Sequence, residues 1–187
     1  MIYLSTGRPT RQEDTVPEKS IGQKILNCEE LGKSYVSLLG NCYYVEGTEM
    51  NFTAASKNCE NKFGSFGHGK LFEPMNKQVN EEMIKTARKI YKRSSLRFFL
   101  GIMDVDSSND WTYHSSGKPV TWTNWDWDQP NNQDGQNEDC AVGGFRKYDY
   151  KWHDDSCHES HQSICEHTMV PISKTKGEQK FEGNLYK

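Results

Sequence analysis

Residues 122–140, WTNWDWDQPNNQDGQNEDC, and residues 151–157, KWHDDSC, decide how this chain is read. Trp, Asn, Asp, Gly and Pro dominate both stretches, and helix formers are scarce, so they read as irregular loop and short strand. A disulfide between Cys140 and Cys157 would bring Glu138 and Asp139 close to Asp154 and Asp155. Carboxylates crowded in this way repel unless a cation sits between them. Calcium suits the donors available, since it takes about 6–8 oxygens from carboxylates, amide carbonyls, backbone carbonyls and water. Gln129 and Asn131 each offer a neutral oxygen, Glu138 and Asp154 a charged one. Pro130 lies between the two amides. A cis Gln129–Pro130 peptide would turn both flanking side chains to one side, and only an X-Pro bond reaches cis cheaply. The competing reading is a solvated acidic loop with turn-forming Asn and Gly.

Upstream of this loop the pattern changes. Residues 37–45, SLLGNCYYV, read as strands around a turn at Gly40-Asn41. Residues 53–63 place Ala55, Cys59 and Phe63 at helical spacing, and residues 76–91 repeat it with Val79, Met83, Ile84, Ala87 and Tyr91. Residues 97–102, RFFLGI, suit a buried strand, while Gly117-Lys118-Pro119 and Asp134-Gly135 signal turns. Two early helices followed by strands and loops predict an α+β domain. Charge, Ser, Thr and Pro fill both ends. The expected organisation is a flexible arm at 1–24, one domain at 25–168 and a polar tail at 169–187.

Hydrophobic residues make up 34% of the 187-residue chain and charged ones 26%, so the core is modest and the surface polar. A net charge of -3 argues against a nucleic-acid partner. The one basic stretch, Lys85, Arg88, Lys89, Lys92 and Arg93, fits the wet face of a helix. No apolar run approaches the ~18 residues of a membrane span. Residues 1–19 lack the apolar centre of a signal peptide, so secretion would require a signal removed from this sequence or missing from it. The six cysteines form no C-x-x-C pair, which disfavours a zinc knuckle or a thioredoxin-type centre. Their even number fits disulfides formed in an oxidising, extracellular compartment. Asn51-Phe52-Thr53 is a glycosylation sequon and points the same way. Six cysteines alone leave about fifteen pairings open.

In order and spacing, Gln129-Pro130-Asn131, Glu138-Asp139-Cys140 and Trp152-His153-Asp154, followed by Cys157 and Cys165, resemble the long loop of the C-type lectin family. Cys59 on the first helix agrees, as does Phe99-Leu100-Gly101-Ile102 where the family has its WIGL-type strand. Asn124-Trp125 stands just before the loop. The resemblance covers roughly residues 28–166. It implies a C-type lectin-like fold: two helices packed on small antiparallel sheets, a long calcium-binding loop, and disulfides Cys59–Cys165, Cys140–Cys157 and Cys28–Cys42. It also implies calcium-dependent carbohydrate binding in extracellular recognition or innate defence.

The family's roles transfer residue by residue. Gln129, Asn131, Glu138 and Asp154 would hold a calcium whose open positions take two neighbouring hydroxyls of a glycan. A second ion would use Asp139 and Asp104, with Asp134 or Asn132 assisting, although Ser108 and Asn109 stand where an acidic partner of Asp104 is expected. Trp127 would either stack on a sugar ring or lie in the core; Trp125 and Trp152 are expected in the core. Glu-Pro-Asn goes with mannose-like sugars in this family and Gln-Pro-Asp with galactose-like ones. Gln129-Pro130-Asn131 is a hybrid that leans to galactose-type ligands through Gln129.

One position departs from the family pattern, because His153 stands where Asn is usual. Imidazole offers nitrogen, which calcium accepts poorly. Either Asp155 or water replaces the lost oxygen, or the site is lost and the domain binds protein or another surface without sugar or calcium. His153, His158 and His161 are expected as surface or turn histidines rather than a zinc site. A single shallow site with affinity near ~1 mM gives about -4 kcal/mol, so useful avidity calls for several copies, as in a homo-oligomer. An enzyme is not expected: no Ser/His or Cys/His nucleophile pattern is present, and Glu138 with Asp154 would need a closed cleft to act as acid and base.

Overall fold

The computed structural model describes residues 28–64, 67–92, 96–133, 137–144 and 150–168. A 3₁₀ turn at Cys28–Leu31 leads into a hairpin of β1 (Tyr35–Leu38) and β2 (Asn41–Met50). Its turn falls on Leu39 and Gly40, with φ of 49° and 83°. Two positive φ values match the twist of the flanking strands. Asn41 therefore opens β2, opposite Leu38, and the turn falls one residue earlier than the expected Gly40-Asn41.

Helix α1 (Phe52–Glu60) starts where the side chain of Asn51 accepts a hydrogen bond from the Ala54 N–H, 2.9 Å away. That contact satisfies one of the free donors of the first turn. Phe52, Ala55 and Cys59 form its buried face. The helix stops at Glu60, short of Phe63, which is nevertheless fully buried in the turn that follows. Helix α2 (Lys77–Tyr91) is capped likewise by Asn76 on the Val79 N–H, and ends at Lys92 in the left-handed conformation. Met83, Ile84 and Ala87 are buried as the periodicity predicts, and Val79 and Tyr91 flank them half-buried. The basic stretch lies along the solvent side of α2. Lys85 pairs with Glu82, and the Arg88 guanidinium sits 5.4 Å over the Tyr150 ring. Arg93 lies outside the described residues.

Six more strands complete the sheet: β3 (Lys70–Leu71), β4 (Phe98–Asp104), β5 (Trp111–Tyr113), β6 (Cys140–Gly143), β7 (Trp152–Asp155) and β8 (His161–Thr168). Their order is β1-β2-β8-β4-β6-β7, with β3 on β8 and β5 on β4. The strands thus join into one linked sheet, not separate small ones. β4 and β8 run parallel at Phe98–Phe99 against Gln162–Ser163, and the other pairs are antiparallel. The disulfides are Cys28–Cys42, Cys59–Cys165 and Cys140–Cys157, the pairing the resemblance implies. The first ties the entry turn to β2, the second ties α1 to β8, and the third ties β6 to the turn after β7.

Gly101 in β4 allows an unusually close approach. A Cβ there would stand 2.7 Å from the Glu73 Cγ and 2.9 Å from the Leu71 carbonyl oxygen. Beneath it, Glu73 and Glu166 are both buried and share the Lys70 ammonium. Glu73 also accepts from the Ser115 N–H and hydroxyl, each at 2.9 Å. Burial pushes the Glu166 carboxyl up to about 7, and the adjoining Glu73 charge adds to this; Lys70 pulls only partly the other way. Burial pushes the Tyr43 phenol up, and the Glu166 charge adds to this, while Asn41 and Lys70 pull partly the other way.

A pH dependence follows, with a definite sign. The native pKa of Glu166 exceeds its unfolded value. Its stabilising contribution is therefore complete below the ordinary carboxylate range and disappears as pH rises through about 7. The loss amounts to up to about 3 kcal/mol, at roughly 1.4 kcal/mol per unit. Glu166→Gln is expected to flatten the decline in melting temperature between pH 5 and pH 8. Parallel curves for variant and wild type would remove Glu166 as its source.

Candidate ligand-binding loop

The loop rests on β7, whose alternation sorts its four side chains. Trp152 and Asp154 are buried, while His153 and Asp155 are half-buried. Pairing with β6 sets Asp154 opposite Ala141 and Asp155 opposite Cys140. Trp152 is fully enclosed. Its indole N–H donates to Asn80 Oδ1 at 2.9 Å, and Asn80 Nδ2 donates to the Tyr150 backbone carbonyl at 2.8 Å. The Trp122 and Trp125 rings meet Trp152 edge-on at 5.2 and 5.7 Å, and Trp111 tilts against Trp125 at 4.6 Å. The Trp152 N–H reaches the Asn124 carbonyl, and the Asp126 N–H reaches the Trp152 carbonyl. This aromatic base fixes where the loop begins. Sequence reasoning missed Asn80. Its signal was a polar residue on the apolar side of α2, four positions before Ile84.

Above this base, the four expected donor residues fall into one hydrogen-bonded network. The Gln129–Pro130 peptide is cis. The Asp154 N–H donates to Gln129 Oε1 at 3.1 Å. Asp154 Oδ2 accepts from the backbone N–H groups of Asn131 and Asn132, at 2.9 and 2.7 Å. Asn132 then links to the second acid, because its Oδ1 accepts the Glu138 N–H at 3.0 Å. Glu138 Oε2 accepts the Gln133 N–H at 2.7 Å. Asn131 enters through its backbone, and the residue is exposed. Asp134 lies outside the described residues.

One atom in this network stands apart. Asp154 is only 4% exposed, yet among the described residues its Oδ1 has no hydrogen-bond donor. A buried, unpaired carboxylate oxygen is costly and rare in native proteins. The side chains joined by the network, Asp154, Glu138, Gln129 and Asn132, are carboxylates and carboxamides, a hard oxygen set of the kind calcium takes. The residues present therefore fit the ion that the resemblance implies.

Asp104 and Asp139 are differently employed. The Asp104 oxygens accept the N–H groups of Ser108 and Asn109, at 3.2 and 2.6 Å, and thereby staple the 105–109 loop. Asp139 accepts the Ser107 hydroxyl at 2.9 Å. The backbones of the two acids meet through the Asp104 N–H and Asp139 carbonyl. Among the described residues, no three His, Cys, Asp or Glu side chains gather as a metal-holding group.

The histidines separate. His153 Nε2 lies 3.3 Å from Asp126 Oδ2, and Asp126 Oδ1 accepts the Trp127 N–H at 2.8 Å. His158 is exposed. His161 is buried, contrary to its expected surface position, because it opens a central strand and meets Asp155 Oδ2 at 2.9 Å. Burial opposes ionisation of Asp155, but His161 and the Ser156 N–H outweigh it and hold that carboxyl below its ordinary range. Trp127 is 89% exposed and so does not lie in the core. Elsewhere, Ser56 Oγ stands 2.9 Å from His114 Nε2. The other ring nitrogen of His114 faces the Met103 sulfur, so no carboxylate orients the pair as a nucleophile and base require.

Comparison with known proteins places this fold in a family. The perlucin-like protein of Mytilus galloprovincialis is 28% identical over 132 residues, spanning 71% of this chain and 77% of its own. The alpha-N-acetylgalactosamine-specific lectin of Patiria pectinifera is 27% identical over 127 residues, spanning 67% and 73%. Among solved structures, the carbohydrate-recognition domain of mouse scavenger receptor C-type lectin superposes with a TM-score of 0.60 at 24% identity, over 75% of this chain and 98% of that one. That likeness speaks for the fold alone. The family model of the lectin C-type domain matches residues 48–167. This chain belongs to the C-type lectin domain family, whose members are binding proteins and not enzymes.

Proposed function

We propose that this domain binds glycans through one calcium ion held by Gln129, Asn131, Glu138 and Asp154. The observation that carries the reading is the buried, donorless Oδ1 of Asp154 inside a network that already joins Gln129, Asn132 and Glu138. Calcium supplies open coordination positions that neighbouring sugar hydroxyls can fill. The chain's own groups do the rest. Carboxylates accept from those hydroxyls, and carboxamides both accept and donate, which sets the hydroxyl geometry preferred. Trp127 presents a ring to solvent beside the loop, suited to the apolar face of a sugar. Gln129 and the N-acetylgalactosamine-specific relative both incline the specificity to galactose-type sugars. An extracellular location and several copies per assembly belong to the same reading. No helix of the described residues is long and apolar enough to cross a membrane. A second ion on Asp139 and Asp104, with Asp134 or Asn132 assisting, is a separate proposal; there Asp104 would ligate while still accepting the Ser108 and Asn109 N–H groups.

A second reading rests on His153. Its ring is engaged by Asp126 and replaces an amide oxygen. In that reading the domain binds a protein or another surface without calcium. Retention on galactose and mannose resins separates the two. Wild type should be retained in calcium and released by EDTA, and Glu138→Gln should flow through while melting like wild type in EDTA. Retention of wild type that EDTA leaves unchanged would favour the second reading.

A further inference from the structure

The sequon takes no part in the loop chemistry, and its setting in the fold is specific. Asn51 stands between the end of β2 and the first turn of α1, and both Asn51 and Thr53 are exposed. Phe52 between them turns inward. It is 4% exposed, meets the Phe99 and His114 rings at 5.4 and 5.1 Å, and donates its N–H to the Cys157 carbonyl at 3.1 Å. The bulky middle residue is thus buried, while the two residues that matter to glycosyl transfer face solvent. We propose that Asn51 carries an N-linked glycan in the mature protein, attached at the amide nitrogen while the amide oxygen goes on capping α1.

The two atoms of the Asn51 carboxamide have separate tasks. Oδ1 accepts the Ala54 N–H at 2.9 Å, and Nδ2 makes no hydrogen bond among the described residues. Glycosylation replaces one N–H hydrogen by a sugar carbon and leaves the carbonyl in place, so the cap survives. In the transfer, Nδ2 attacks the anomeric carbon of an oligosaccharide carried on a lipid diphosphate. The C–N bond forms, the bond from that carbon to the diphosphate oxygen breaks, the lipid diphosphate departs, and one amide proton passes to base. The chain order favours the reaction. Cys59 waits for Cys165, 106 residues later, so residue 51 emerges long before that bridge can close over α1. Three disulfides also point to the oxidising compartment in which such transfer takes place. The inference stands independently of the calcium loop.

The full chain, made behind a secretion signal in animal cells, supplies the test. Medium and microsomal fractions are compared with and without peptide-N-glycosidase F. Wild type should shift to higher mobility on digestion, with position 51 converted to aspartate in the peptide spectrum. Asn51→Asp keeps an oxygen cap and Thr53→Ala leaves Asn51 itself intact; both should run at the digested position without enzyme. An unmodified asparagine at position 51 in most wild-type molecules of both fractions, or a mobility shift that persists in Thr53→Ala, would overturn the proposal.

Discussion

In Asp154→Asn, the rise in melting temperature expected of the wild-type chain in calcium should be absent, with little change in EDTA. The asymmetry of the Asp154 carboxylate makes the result specific. Oδ2 holds the loop through the Asn131 and Asn132 N–H groups, and an amide oxygen can keep both contacts. Oδ1 has no donor, and the substitution puts an NH₂ group there. A donor cannot ligate a cation, so the metal is lost while the loop keeps its anchor. At calcium a hundredfold above the dissociation constant, wild type gains about 2.7 kcal/mol, and a domain of this size melts about 5–10 °C higher. Scanning calorimetry with and without calcium reads the difference. A full calcium shift in the variant would place the ion elsewhere.

The second large effect is structural. Removing Cys59–Cys165 through the double variant Cys59→Ala and Cys165→Ala should cost about 4–5 kcal/mol, because the bridge closes a long loop in the unfolded chain. The residues are 106 apart, against 14 for Cys28–Cys42, whose removal should cost about 3 kcal/mol. Against the 5–15 kcal/mol typical of a whole domain, the first loss leaves a fold near its limit. Urea midpoints under non-reducing conditions compare the two variants. Equal losses would contradict the loop-entropy account and point to local packing around the sulfurs.

Much of this was legible before any coordinates. The 3.6-residue spacing in residues 76–91 gave Met83, Ile84 and Ala87 their buried face, because a helix on a core must present one apolar stripe. Cysteine pairing was not legible from spacing and came only with the resemblance. The tryptophans mark the boundary clearly. Trp125, Trp127 and Trp152 share one motif-rich region, yet Trp152 is enclosed, Trp125 half-buried and Trp127 in solvent. Strand alternation decides the case of Trp152, and a turn at residues 127–128 decides that of Trp127. Neither is visible in a run of Trp, Asp and Asn. Buried polar groups were equally hidden. Asn80 and Glu166 look like surface residues by type, and only partners from distant parts of the chain, Trp152 for one and Lys70 for the other, explain their burial. Ser108 and Asn109 carry no acidic side chain to accompany Asp104. Their backbone N–H groups are what Asp104 uses.

The strand β8 that ends the described chain lies beside β2, with Thr168 opposite Asn41 and Cys165 opposite Tyr44. A pull on both ends of the molecule would therefore act as on a zipper, opening rungs one at a time from Thr168. Only Glu166, His167 and Thr168 can peel before the traction meets the Cys165 sulfur, where a covalent stop passes the load to α1. The rest of the domain would be shielded from tension.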